Sequence, residues 1–321
     1  MNEGGPGDGA ALFLWALDGG AGQDDSRLMI VSAILAAALL VAQPDQTPTP
    51  PVQQGPTVAL DDIVVTGPNQ AAVETFVGRL TDPGRRGANR GQIARWGEPL
   101  CLRVIGGVHE DNERLTAAIE AVFVSLNIRV DRPRCRPNAM VVIAHDAPGF
   151  SRVFASRYRN RFFQNQRQVQ SAFVAASVPV RWEHRTRVGA AGRSPLIDER
   201  VSRTSGEPIE LPDSRITQST AERIERAMVV VDADQIDVVR LDALAAYIAF
   251  VTLVDAPVQA SGPGQDSILN LFAVSGKAPG GLTDWDRAFI EGLYSIRTNL
   301  LFSMQRTELE LRMAARLSAT D

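Results

Sequence analysis

The stretch Leu241–Val254, LDALAAYIAFVTLV, is apolar on every side of a helical wheel, with Asp242 as its one ionisable carboxylate before Asp255. A helix without a polar face is stable when other elements cover it all round. The chain therefore has to be built around this segment, which becomes the predicted centre of the core.

A second apolar run, Met29–Ala42 (MIVSAILAAALLVA), has another meaning. A bilayer-spanning helix needs about 20 apolar residues, and this run is shorter. It has the length of the core of a secretory signal peptide. The Pro-rich segment Gln43–Pro51 follows at once, which argues against a buried core helix. Residues 1–28 carry Glu3, Asp8, Asp18, Asp24 and Asp25 against Arg27, the wrong sign for a signal's opening, so translation is expected to start at Met29. Val41-Ala42-Gln43 supplies small residues near the cleavage point without forming Ala-x-Ala, so an uncleaved N-terminal anchor stays the alternative. The chain then divides into an N-terminal extension and signal (1–43), a Pro-rich spacer (44–60) and one α+β domain (61–321). A split into two subdomains near 190–213 stays open. The expected location is the periplasm or beyond, with no transmembrane body.

Composition is that of an ordinary globular chain, 45% apolar and 22% charged. The charge is unevenly placed. Residues 1–78 carry net −8, residues 79–203 net +11 and residues 204–321 net −7. Lys277 is the one lysine, so the positive charge is carried by arginine. The basic middle either pairs with acids elsewhere in the chain or faces an anionic partner. Aromatic residues make up 6% of the chain and do not interleave with the arginines, so no nucleic acid is expected.

Two cysteines, Cys101 and Cys135, invite a disulfide in an exported chain, with two buried thiols as the alternative. Closing that loop stabilises by about 3–4 kcal/mol on the chain-entropy model.

Periodicity predicts helices at Gln70–Leu80, Asp111–Leu126, Phe150–Phe163, Gln166–Val174, Thr283–Tyr294 and Leu300–Leu317. Predicted strands are Asp61–Gly67, Leu100–Ile105, Ile128–Val130, Ala139–Ala144, Val178–Val188, Arg215–Thr220 and Arg226–Asp232. Thr283, Asp284 and Asp286 resemble a capping box. Polar loops are read at Thr81–Gly91 and Gly189–Asp213. Strands and helices mix without a strict βαβ rhythm, which gives an α+β class.

Common catalytic signatures are missing. Ser275-Gly276-Lys277-Ala278 is not a phosphate loop, and neither G-x-S-x-G nor C-x-x-C occurs. No cofactor and no metal are expected. His109 and Glu113 have i,i+4 spacing, which reads as a solvated helix start. His145, Asp146, Glu183 and His184 are the residues from which a hydrolytic cleft could be made. The binding candidates are Arg152, Arg157, Arg159, Arg161, Arg181 and Arg185, with Arg157 and Arg161 sharing one face if their segment is helical.

Several segments occur in a characteristic order. They are Asp62-Ile63-Val64-Val65-Thr66-Gly67, Arg95-Trp96 with Cys101, Cys135-Arg136-Pro137-Asn138, Val180-Arg181-Trp182, Val229–Asp232 and Gly281–Ala288. In this order the chain resembles a family of uncharacterised exported proteins of Gram-negative bacteria, over most of residues 61–295. No activity comes with that resemblance. The path from Ala245 through Ser267–Asn270 to Leu282–Tyr294 is similar to exported zincin-like domains, whose helix at the place of Leu241–Val254 carries metal-binding His and a catalytic Glu. This chain has neither there, so the similarity implies a metal-less relative. The expectation is an exported, non-enzymatic binding protein with an Arg-rich surface for an anionic envelope component or an acidic protein. An envelope hydrolase is the alternative.

Overall fold

Alternation along strand β5 (Thr220–Asp232) organises the molecule. It carries the run Met228-Val229-Val230-Val231, buried throughout. Such a run is expected of a strand covered on both faces. The computed structural model describes residues 70–81, 91–131, 134–164, 166–191, 217–236, 238–258, 266–273 and 278–319, all within the unit Ile63–Asp321. The predicted signal peptide, spacer and opening strand lie outside the described residues, as do most of the two predicted polar loops.

The fold is α+β, with seven helices and five strands among the described residues. In chain order they are α1 (Gln70–Leu80), β1 (Arg95–Trp96), β2 (Leu102–Ile105), α2 (His109–Ser125), β3 (Ala139–Ala144), α3 (Ala147–Arg157), α4 (Arg167–Ala175), β4 (Val180–Ala190), β5, α5 (Leu241–Leu253), α6 (Asp284–Ser295) and α7 (Phe302–Ser318). On one edge β5 takes β4, antiparallel along its length. On the other edge it takes two parallel partners end to end. β1 pairs with Arg223 and Ile224, and β3 with Ala227–Asp232. β2 lies parallel outside β3.

The two sheet faces bury different cores. Ala139, Val141, Trp182, Ile224, Ala227, Val229 and Val231 join the larger one, with α1, α2, α5, α6 and α7. Val142, Met228 and Val230 join a smaller one with α3, α4, Phe162 and Phe163. Helix α5 sits inside the larger core, and Ala243–Leu253 are all buried. Two indole N–H groups bind the backbone at its C-terminal end: Trp96 Nε1 donates to Thr252 O (2.8 Å) and Trp182 Nε1 to Ala256 O (2.9 Å). No helix among the described residues is long and apolar enough to cross a membrane.

Several sequence expectations meet a different arrangement. The predicted helix Phe150–Phe163 closes at Arg157 with Tyr158 as C-cap, and turns follow, so Arg157 and Arg161 do not share a helix face. Phe154, Phe162 and Phe163 still meet in the smaller core, which is why a helical spacing persisted past the helix end. Ile128–Val130 contributes a single bridge, Leu100 with Val130. Strand β5 starts at Thr220, well before the predicted start at Arg226, while the described part of the predicted strand Arg215–Thr220 contributes a single bridge, Thr217 with Leu300, ahead of it.

The N-terminus of α6 has the predicted capping box. Thr283 Oγ1 accepts from Asp286 N, and the Asp286 carboxylate accepts from Thr283 N (3.0 Å). The same carboxylate accepts from Ser267 Oγ and Ile268 N, both at 2.7 Å. Burial raises its pKa from 3.8 to about 6, against the opposing pull of these donors.

A raised pKa in the folded state makes protonation stabilising. That contribution is complete below the unfolded pKa near 3.8 and is lost as pH rises through about 6. The stability of wild type relative to Asp286→Asn should therefore fall between pH 4 and 7, by up to about 3 kcal/mol, in urea unfolding at each pH. In the same assay Phe250→Ala, which empties a site of zero exposure in α5, should cost about 3–5 kcal/mol.

Candidate functional site

The hydrogen-bond register of β4 on β5 slips once. Arg185 faces Arg226, but Thr186 faces Ile224, which leaves Glu225 as an extra residue. Such a bulge re-aims side chains. Ile224 and Ala227 both enter the larger core, so the two residues between them, Glu225 and Arg226, both project from the opposite face. Arg185 and Arg187 of β4 project beside them.

The bulge sits where β1 ends and β3 begins along β5, and there the surface is concave. A groove of about 510 Å³ is lined by Arg136, Arg185, Arg187, Arg223 and Arg226, with Glu98, Asp131 and Glu225 as its acids. Trp96, Pro99, Pro137 and Ile224 supply its apolar lining. The charged lining is net positive.

Pairing inside the groove is uneven. Glu225 takes both Arg185 (Nε to Oε2, 3.1 Å) and Arg187 (Nη1 to Oε1, 3.4 Å). Arg223 donates from Nη2 to Ala190 O at 3.2 Å and lies across Gly97, where an added Cβ would stand 3.0 Å from its Cδ. Arg136 and Arg226 are exposed and have no ion-pair partner among the described residues. The described acids of the C-terminal part do not pair with them. Glu291, Glu308 and Glu310 pair with Arg316, Arg297, Arg312 and Arg306 of their own region.

One wall is held by Asn138. Its Oδ1 accepts from Cys101 N (2.8 Å) and its Nδ2 donates to Pro99 O (3.0 Å). Its own N donates to Cys101 O, and its O accepts from Ala227 N. Cys101 and Cys135 form the expected disulfide, with Cα atoms 5.9 Å apart.

The predicted binding residues fall in four places. Arg185 lines the groove. Arg161 adjoins it, since its carbonyl accepts from Arg185 Nη1. Arg152, Arg157 and Arg159 are exposed on α3 and the turn after it. Arg181 is 2% exposed, on the small-core face of β4. Burial lowers its pKa, while Asp232 and Asp146 pull the other way and Arg152 adds to the lowering. The groove arginines Arg136, Arg187, Arg223 and Arg226 were not singled out from sequence. Arg187 follows Arg185 at the strand period of two, a signal that was available, but the bulge that gathers the rest leaves no pattern.

The four residues of the hydrolytic alternative are kept apart. His145, at the end of β3, meets Asp234 at 2.7 Å in an exposed pair. Asp146 caps α3 by accepting from Gly149 N. Glu183 folds back to accept from His184 N. The His184 ring enters the opposite core, where Nε2 donates to Thr252 O (3.1 Å) and Nδ1 lies 3.4 Å from Asp255 Oδ1, with both side chains buried. His109 and Glu113 pair on the exposed start of α2. Among the described residues no three His, Cys, Asp or Glu side chains gather as a metal-ligand set.

A second cavity, of about 450 Å³, lies at the carboxyl ends of β2 and β3 and is mainly apolar, with Val108, Ile143, Ile236, Leu241 and Leu244 among its lining. Gly106, at φ 99°, forms the turn beside it, where a Cβ would stand 2.1 Å from Ile143 O.

Comparisons with family models, curated proteins and solved structures each find no match for the chain.

Asn138→Ala leaves Cys101 N and Pro99 O without their partners. It should cost about 1–3 kcal/mol of stability, measured by urea unfolding of the oxidised protein.

Proposed function

We propose that the chain is an exported binding protein of the bacterial envelope, which holds an anionic envelope component in the Arg-lined groove and catalyses no reaction. The observation that carries this reading is the groove at the β5 bulge, where Arg136 and Arg226 have no ion-pair partner among the described residues. A guanidinium presents a planar fork that suits carboxylate or phosphate. The Cys101–Cys135 disulfide fits an oxidising compartment. The separation of His145, Asp146, Glu183 and His184 favours binding over hydrolysis.

The arginines of α3 and the following turn extend the positive surface beyond the groove. Exposed charges act at long range and are screened, with a Debye length of about 10 Å at 0.1 M salt and about 3 Å at 1 M. The groove arginines act in contact with the ligand. The two sets therefore have separable roles.

The test is calorimetric titration with tripolyphosphate at low and high ionic strength. Arg136→Ala and Arg226→Ala should each weaken binding about fivefold, near 1 kcal/mol, at both salt levels. Arg152→Ala with Arg157→Ala should weaken it at low salt and leave it unchanged at high salt. No binding at low salt, or binding indifferent to Arg136 and Arg226, would overturn the reading. Tighter binding of polyglutamate than of tripolyphosphate would replace the envelope component by an acidic protein.

A further inference from the structure

The groove wall that carries Arg136 has an unusual attachment. At one end of the wall segment, Asp131 N donates to Leu100 O (2.7 Å). At the other, Asn138 is tied to Pro99, Cys101 and Ala227. Between these anchors, no hydrogen bond to another described residue holds Arg134–Pro137. Arg134 has φ 71°, in the left-handed region that non-glycine residues seldom occupy. What fixes the middle of the segment is the bond from Cys135 to Cys101. Cys101 is 3% exposed and stands next to β2 in the sheet.

We propose that the Cys101–Cys135 disulfide is a clamp that sets Arg136 for anion binding, so that the groove is competent in the oxidised protein and weakened in the reduced one. This rests on the anion-binding reading above. Reduction by a dithiol transfers two electrons and two protons to the cystine. The sulfur–sulfur bond breaks, Cys101 and Cys135 become thiols, and the reductant leaves as its own disulfide. The anchors at Asp131 and Asn138 persist, because they are hydrogen bonds to the backbone of Leu100, Pro99, Cys101 and Ala227. The sheet therefore stays intact. Arg136, one residue from the broken link, loses its fixed place opposite Arg226. The ordering that the bond supplied in advance must then be met at binding, which lowers affinity.

The experiment compares tripolyphosphate affinity of the full chain, oxidised and after dithiothreitol, in wild type, Arg136→Ala and Cys101→Ser/Cys135→Ser. Near-ultraviolet circular dichroism reports the folded fraction in each sample. The expected result is a drop of about fivefold on reducing wild type, to the affinity of oxidised Arg136→Ala. Reduction should cause no further change in Arg136→Ala, and the double serine variant should match reduced wild type. Affinity indifferent to reduction, in a protein that Arg136→Ala does weaken, would overturn the clamp and leave the binding reading intact. Unfolding on reduction would also overturn it, since the bond would then hold the whole fold and not one wall. Absence of binding by the oxidised wild type would overturn both.

Discussion

Strand β5 is the constraint on which the rest of the structure depends. Its two edges are shared among β4, β1 and β3, and its two faces close two separate cores. Burial on all sides explains the Met228–Val231 run, where side chains on both faces are apolar. The same demand explains α5. A helix with no polar face has to lie under other elements, and the sheet with α2 and α6 supplies that cover. The bulge at Glu225 is the one break in the β4–β5 ladder, and the groove forms there.

The bulge also shows how some of the described arginines around it are neutralised. Glu225 answers two arginines at once, and Glu291, Glu308 and Glu310 of the last two helices are engaged with arginines of their own region. Internal pairing thus accounts for part of the positive charge and leaves Arg136 and Arg226 facing solvent across a concave surface. Arg181 shows the opposite outcome. It is fully buried, and Nε and Nη1 have no hydrogen-bond partner among the described residues, so its charge belongs to the interior and not to the surface.

Much of the fold was legible in the sequence where one periodicity ran its full length. Helix α1 and strand β3 have their predicted bounds because Val73, Phe76, Val77 and Leu80 mark one face, and because Ala139–Ala144 is apolar enough for an inner strand. The cap at Thr283 was legible from its local chemistry. The candidate site was less so. Strand β1 is two residues long and carries no period. A bulge is a property of pairing between Arg185 and Arg226, residues far apart in sequence, and no local pattern records it. The end of α3 was missed because Phe162 and Phe163 keep a helical spacing from Phe154 while reaching the same core through turns.

The central claim is that anion recognition belongs to the groove at the bulge and not to the arginines of α3. Side-chain Nε–Hε resonances of arginine, followed by NMR during titration with tripolyphosphate at high salt, test it residue by residue. The account predicts that Arg136 and Arg226 shift and saturate together, while Arg152, Arg157 and Arg159 stay in place. Saturating shifts at the α3 arginines with none at Arg136 and Arg226 would contradict it.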